Sequence, residues 1–369
     1  EGKHDLGRLV ATHCLLFSLL LSLVLIIVVS PNLAGIFELL GAQENVRNLA
    51  TSYVDLWFIG LPFFAFAMVG SSLMRAMGDI ARPGYLMALA ALLQIVFAPA
   101  LIFGVNGFSG FGLAGAALAF VMARVIGFAV YIYLFYRDKF LILSTKSFYA
   151  SLKEVLGVGL PAIAANLIGP VTMTFVTKIV STYGSVAVAG FTLASRIETM
   201  FAMVLWSLSM SLAPFIGQNW GAGAFSRVKY SFSLANRFSV AWGIAAYVFL
   251  MVCSPFFLEM VTEDAAVVAV ALQYMMIAPL GMAVMGIGSN VGSSFNALGK
   301  PIPPLLISSC QTLLLTVPLS LLGNNLFGLP GIFLGGILSM FITAIVGWCW
   351  FNSVINPKAR ADRALVKAT

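Results

Sequence analysis

Very few residues in this chain place a charge or a strong polar group inside its long apolar runs, and those few limit the chemistry open to it. Glu198 falls near the middle of a run from about 186 to 215 and is the deepest carboxylate in the chain. At such a depth a carboxylate can take up and release a proton or ligate a cation; the alternatives are a structural ion pair or a hydrogen bond to a facing helix. Arg196 is two residues away, about 200° around a helix, so it cannot sit beside Glu198; it is read either as structural or as a cavity and substrate candidate. Arg124 and Gln94 lie mid-run and could line a cavity; Arg124 could equally clamp a carboxylate or helix-end carbonyls. Asp55, about one turn inside its run, could guard an opening or reach the headgroup layer. Glu198 and Asp55 are thus the candidates for binding a coupling cation.

Asn166 and Thr174 are eight residues apart on one run, which Pro161 and Pro170 interrupt. They are read as sharing a face and as cavity and substrate candidates, and the prolines as permitting either gating or a static kink. Methionines are frequent, and Met203 belongs to a group that could line an adaptable cavity or simply pack. Metal chemistry finds little support. The two histidines, His4 and His13, lie near the start, and Cys14, Cys253, Cys310 and Cys349 lack ligand spacing. A membrane-embedded enzyme would need a cluster of acids or histidines around Glu198, and none is visible.

The elements that must position these groups follow from composition. The chain is 61% hydrophobic and 9% charged, with a mean hydropathy of +1.02. A soluble domain is about 25% charged, so the excess apolar surface is assigned to lipid. A spanning helix needs about 20 apolar residues. About ten such segments are read, near 9–31, 51–76, 84–104, 112–136, 155–182, 186–215, 233–256, 265–297, 302–323 and 328–353. The fold class is all-α integral membrane.

The net charge of +7 is not a nucleic-acid signal, because the basic residues sit in short loops between apolar runs. One side of the alternating topology collects Arg8, Arg75, Arg82, Arg137, Lys153, Lys300 and Lys358, among others. The other side collects Arg47 with Glu38, Glu44, Glu259, Glu263 and Asp264. Basic loops stay cytoplasmic, which predicts both termini of the chain on the cytoplasmic side of the inner membrane.

The chain also repeats itself. Ser71-Ser72-Leu73-Met74-Arg75-Ala76-Met77-Gly78 matches Ser293-Ser294-Phe295-Asn296-Ala297-Leu298-Gly299. Phe111-Gly112-Leu113-Ala114-Gly115 matches Phe327-Gly328-Leu329-Pro330-Gly331, and Tyr53 falls at the place of Tyr274, all at an offset of about 220 residues. Repeats of one orientation point to alternating-access transport, with sites at the repeat interface. The first four segments match the last four, while the fifth and sixth have no counterpart. A twelve-helix parent is inferred, of which this chain lacks the first two.

With Ala194-Ser195-Arg196-Ile197-Glu198 and the run Pro214-Phe215-Ile216-Gly217-Gln218-Asn219-Trp220-Gly221-Ala222-Gly223, these features resemble the multidrug and toxin extrusion (MATE) family. Gln218, Asn219, Gly221 and Gly223 form its signature loop. The resemblance spans essentially the whole chain from the family's third helix onward. It implies two bundles: residues 1–140 (family helices 3–6), a linker 141–154, residues 155–355 (family helices 7–12), and a tail 356–369. It implies export of small organic cations in exchange for H⁺ or Na⁺, with no other cofactor and no nucleic acid, by a monomer in the lipid bilayer. Two departures stand out. Gln94 and Ala98 before Pro99 replace the family's Asn-x-x-x-Asp-Pro, and the stretch 162–174 lacks the Glu often found there. The rival readings are a lipid-linked oligosaccharide flippase of the same superfamily, which would need a strongly basic cavity, and an inactive truncated transporter.

Overall fold

The computed structural model describes residues 2–39, 44–105, 109–142, 144 and 147–368, with side chains except those of 2–6, 39 and 360–368. Residues 106–108 and the side chain of His4 lie outside that set. Ten helices among the described residues are long and apolar enough to cross a membrane. They are α1 (Gly7–Glu38), α2 (Glu44–Ala76), α3 (Ala81–Phe103), α4 (Leu113–Arg137) and α5 (Phe148–Ser181), then α6 (Ser185–Gly221), α7 (Phe225–Val261), α8 (Ala265–Ala297), α9 (Ile302–Phe327) and α10 (Leu329–Ala359). Every predicted segment is present, most of them a few residues longer than its apolar run, because polar end-turns continue the helix beyond the hydrocarbon.

The chain divides into two compact units, Glu1–Val155 and Leu156–Thr369. In the first, α2 packs along α4 because Gly60 and Gly70 leave room for large rings. A Cβ at Gly60 would lie 2.9 Å from the Phe120 ring, and one at Gly70 would lie 3.1 Å from Phe135. Phe66, Phe135 and Phe140 then build the core with Leu15, Met74 and Tyr131. The segment after α4 is tied back to α1: Ile142 N donates to Thr12 Oγ1, and the buried His13 ring bridges Ser144 O and Ser151 Oγ. His13 is therefore a structural clasp. No cluster of metal-binding side chains exists among the described residues.

At one end of this unit Arg82 bonds Asp79 and Asp138, and Arg137 bonds Asp138 as well. The hydrogen bond from Arg137, with that from Arg82, holds the Asp138 carboxyl below the usual carboxylate range. A lowered folded-state value means that this tie is present at neutral pH and is lost on acidification.

The repeat read from sequence appears in the backbone. Gly112, entering α4, has φ 58° and ψ −129°; Gly328, entering α10, has φ 66° and ψ −144°. Only glycine adopts that region at little cost. The ends of α2 and α8 also match, with Gly78 and Gly299 both at positive φ.

In the second unit two cores flank a cavity. One gathers Phe191, Leu250, Met275, Met282 and Ile332; the other gathers Ile216, Phe232, Phe295, Phe351 and Ile355. Two of its helices are interrupted where they meet the cavity. A 3₁₀ turn around Pro279 breaks α8 at Ala278–Gly281. A π turn breaks α9 at Gln311–Thr316.

Candidate functional site

The cavity is lined by one face of α6, whose residues Phe191, Ser195, Glu198, Ala202, Trp206 and Ser209 recur at spacings of three and four. That spacing keeps side chains on one helical face. It forms two chambers of about 440 and 590 Å³, both of the size that takes a small organic molecule.

Glu198 opens into the smaller one. The Tyr274 hydroxyl, from α8, donates to Glu198 Oε2. Two further rings surround this pair. Tyr274 meets Phe191 edge-on at 5.4 Å and Phe333 edge-on at 4.9 Å, while Phe191 and Phe333 stack at 5.9 Å. The chamber is thus an aromatic box around one carboxylate, and no Lys, Arg or His is among its lining residues. A cation entering it would meet both a carboxylate and ring faces.

The π turn shapes the opposite wall. A π turn holds one extra residue, which re-aims side chains and frees backbone groups. Here Thr312 and Thr316 are buried. Thr312 shares a hydrogen bond of 2.5 Å with Thr172 of α5, and Thr316 one of 2.6 Å with Ser339 of α10.

The larger chamber is neutral. Its walls carry Asn166, Ser209, Ser289, Ser293, Asn296, Ser308, Gln311 and Thr343 and no ionisable side chain. Asn290 stands behind it, fully buried. Its Oδ1 accepts from Ser209 at 2.7 Å, and its Nδ2 donates to Asn236 Oδ1 at 3.0 Å and Ser239 Oγ at 3.1 Å. Truncating it leaves three buried groups short of a partner. Asn290→Leu is expected to lower stability by about 1–2 kcal/mol, read as a shifted thermal midpoint in detergent; an unchanged midpoint would mean that the network holds nothing.

The other sequence candidates are placed as follows. Asn166 lines both chambers. Thr174 lies in a shallow groove with Lys178 and Ser181, its hydroxyl bonded to Pro170 O. Eight residues turn a helix about 80° past alignment, which carries Thr174 off the cavity face. Met203 and Arg196 are exposed and line neither chamber, whereas Met285 and Met340 line both. In the first unit, Ser30 donates to Asp55 at 2.5 Å, and Gln94 is half-buried. Arg124 stacks over Phe64 and Phe120, with its Nε buried and without a partner among the described residues. In the signature loop, Asn219 Nδ2 donates to Phe215 O and Gly223 takes φ 73°. Gln218 is exposed, and Gly221 ends α6. These four residues shape a helix end and line neither chamber.

Sequence reasoning missed Tyr274 as the partner of Glu198. It also missed Phe333 and the π turn. The pair is 76 residues apart, so only the spacing along α6 hinted at a lined face.

Ten long apolar helices, a repeated backbone and a polar-and-aromatic cavity define a multi-pass membrane transporter. The chain belongs to the MatE family, whose family model matches residues 1–100 and 161–322. A protein of Shewanella oneidensis named FAD transporter is 30% identical over 87% of this chain and 72% of its own length. A probable multidrug resistance protein of Bacillus subtilis, YoeA, is 24% identical over 84% and 68%. Among solved structures, a mutant of the Vibrio cholerae MATE transporter VcmN superimposes with a TM-score of 0.91. It is 24% identical and covers 96% of this chain and 81% of that one; at this identity the likeness speaks for the fold.

Proposed function

We propose that the chain exports organic cations in exchange for H⁺, or Na⁺, by alternating access. One observation carries this reading: a single carboxylate, Glu198, hydrogen-bonded to Tyr274 in an aromatic chamber with no cationic lining residue. Coupling needs a group that the ion and the substrate cannot both use. An ion shifts a two-state transporter only through its differential affinity for the two states. A carboxylate held by one neutral hydroxyl can lose its charge to a proton and so lose its grip on an organic cation. H⁺ is favoured over Na⁺ because one carboxylate and one hydroxyl make a sparse shell for a metal ion.

The test is uptake of a fluorescent organic cation into proteoliposomes under imposed gradients. Accumulation driven by a proton gradient is expected. Accumulation that follows only a Na⁺ gradient would reassign the coupling ion, and none under either gradient would remove the exporter reading.

Arg124 favours a second reading. It is a cation amid an apolar span whose Nε has no partner among the described residues, and an anionic substrate would answer it. The Shewanella relative is named for FAD, which carries a diphosphate. FAD accumulation in the same vesicles, lost in Arg124→Gln, would support that reading over the cationic one.

A further inference from the structure

The two chambers of the second unit share walls, with Asn166, Trp206, Met285, Gln311 and Met340 lining both. They differ in chemistry. One is an aromatic box with one carboxylate. The other presents amides and hydroxyls and no charge. Glu198 and Ser209, one in each chamber, are eleven residues apart on α6, or roughly 16 Å along a helix. A ligand reaching from one to the other has two ends meeting different surfaces.

Several polar groups of the neutral chamber are unused. Asn296 Oδ1 is buried without a donor among the described residues. The side chains of Gln311, Ser289 and Ser308 line the chamber and make no hydrogen bond among the described residues. Buried polar groups are normally satisfied, and an exception asks for an explanation. The floor is also open by construction. Gly288 on α8 faces the chamber, and a Cβ built there meets nothing within 4 Å. A helix does not need glycine at such a position; there the chain gives up helix propensity for open volume.

We propose that the neutral chamber is a second binding subsite, selecting aromatic substrates that carry an uncharged amide-like edge, with an N–H for the hydroxyl oxygen of Ser289 or Ser308 and a carbonyl for Gln311. This rests on the reading of Glu198 as the anchor for a substrate cation. The substrate class narrows from organic cations in general to aromatic cations bearing a neutral donor–acceptor group. Gln311 is a specificity residue in this scheme. It sits at the start of the π turn, which brings its amide to the wall common to both chambers.

Two probes separate the parts of this statement. 1-Benzylpyridinium is an aromatic cation without a hydrogen-bonding group; 1-benzylnicotinamide is the same cation with a carboxamide. Their affinities for the full chain in lipid nanodiscs would be measured by equilibrium dialysis, with Glu198→Gln, Gly288→Leu and Gln311→Leu alongside. The carboxamide probe is expected to bind about tenfold more tightly than the pyridinium, the return on two added hydrogen bonds. Gly288→Leu adds side-chain volume to the chamber from a Cβ that meets nothing within 4 Å, and it should bring the carboxamide probe down to the level of the pyridinium. Gln311→Leu should remove part of the difference. Equal affinities in the wild type, with pyridinium binding still dependent on Glu198, would overturn the subsite and leave the cation anchor standing. A difference that survives in both Gly288→Leu and Gln311→Leu would also overturn it. Pyridinium binding indifferent to Glu198→Gln, or no binding of either probe, would overturn the anchor and the subsite with it.

Discussion

Glu198→Gln is expected to cut gradient-driven transport at least about tenfold, which corresponds to about 1.4 kcal/mol, while the protein still folds. The amide matches the carboxyl in shape, and its oxygen still accepts the bond from Tyr274. Phe191 and Phe333 keep their places around it. What the amide cannot do is change charge, so the step in which ion and substrate compete for the group is lost. Binding of a neutral aromatic compound should survive. Tyr274→Phe removes only the hydroxyl and should weaken coupling without abolishing it, since the carboxylate can still titrate. Initial rates of uptake into proteoliposomes under a proton gradient decide the matter. If Glu198→Gln transports within twofold of the wild type, the coupling group lies elsewhere in the chain, and Asp55 becomes the next carboxylate to test.

The second large effect concerns folding. A Cβ at Gly331 would fall 1.9 Å from the carbonyl oxygen of Gly323, and one at Gly323 would fall 2.0 Å from that of Gly331. The obstacle is backbone, not the end of a flexible side chain, so no rotamer relieves it. Gly331→Ala is expected to separate α9 from α10 and to destabilise the protein by about 3 kcal/mol. Gly115→Ala should do the same to α3 and α4, because its Cβ would meet Leu101 O at 2.1 Å. Gly127→Ala is the matched control, with nothing within 4 Å of its Cβ. Thermal unfolding followed by size-exclusion chromatography in detergent reads all three. A loss at Gly331 no larger than at Gly127 would show that these helices are not held by close backbone approach.

Much of this architecture can be read in the chain. The ten spans are legible because lipid demands unbroken apolar length, a stronger constraint than any local propensity. The repeat is legible because Gly112 and Gly328 must take the same glycine-only backbone. Glu198 stands out by depth alone. Its partner does not, because nothing local marks Tyr274 as facing Glu198 across 76 residues. The π turn is equally silent, since Gln311-Thr312-Leu313-Leu314-Leu315-Thr316 reads as ordinary helix. The placement of Thr174 shows the limit of counting along a helix. A face assigned by spacing drifts by tens of degrees over two turns, enough to move a hydroxyl from a cavity to a surface groove.

The π turn also bears on how duplicated halves come to do different work. In the first copy α3 runs as uninterrupted α-helix from Ala81 to Phe103; in the second, α9 carries one widened turn. A single added residue rotates all that follows by about 100°. The step is small enough to arise by one insertion, yet it gives Thr312, Thr316 and Gln311 neighbours that their ancestral counterparts would not have met. Two halves that begin as copies can diverge through such a change in phase alone.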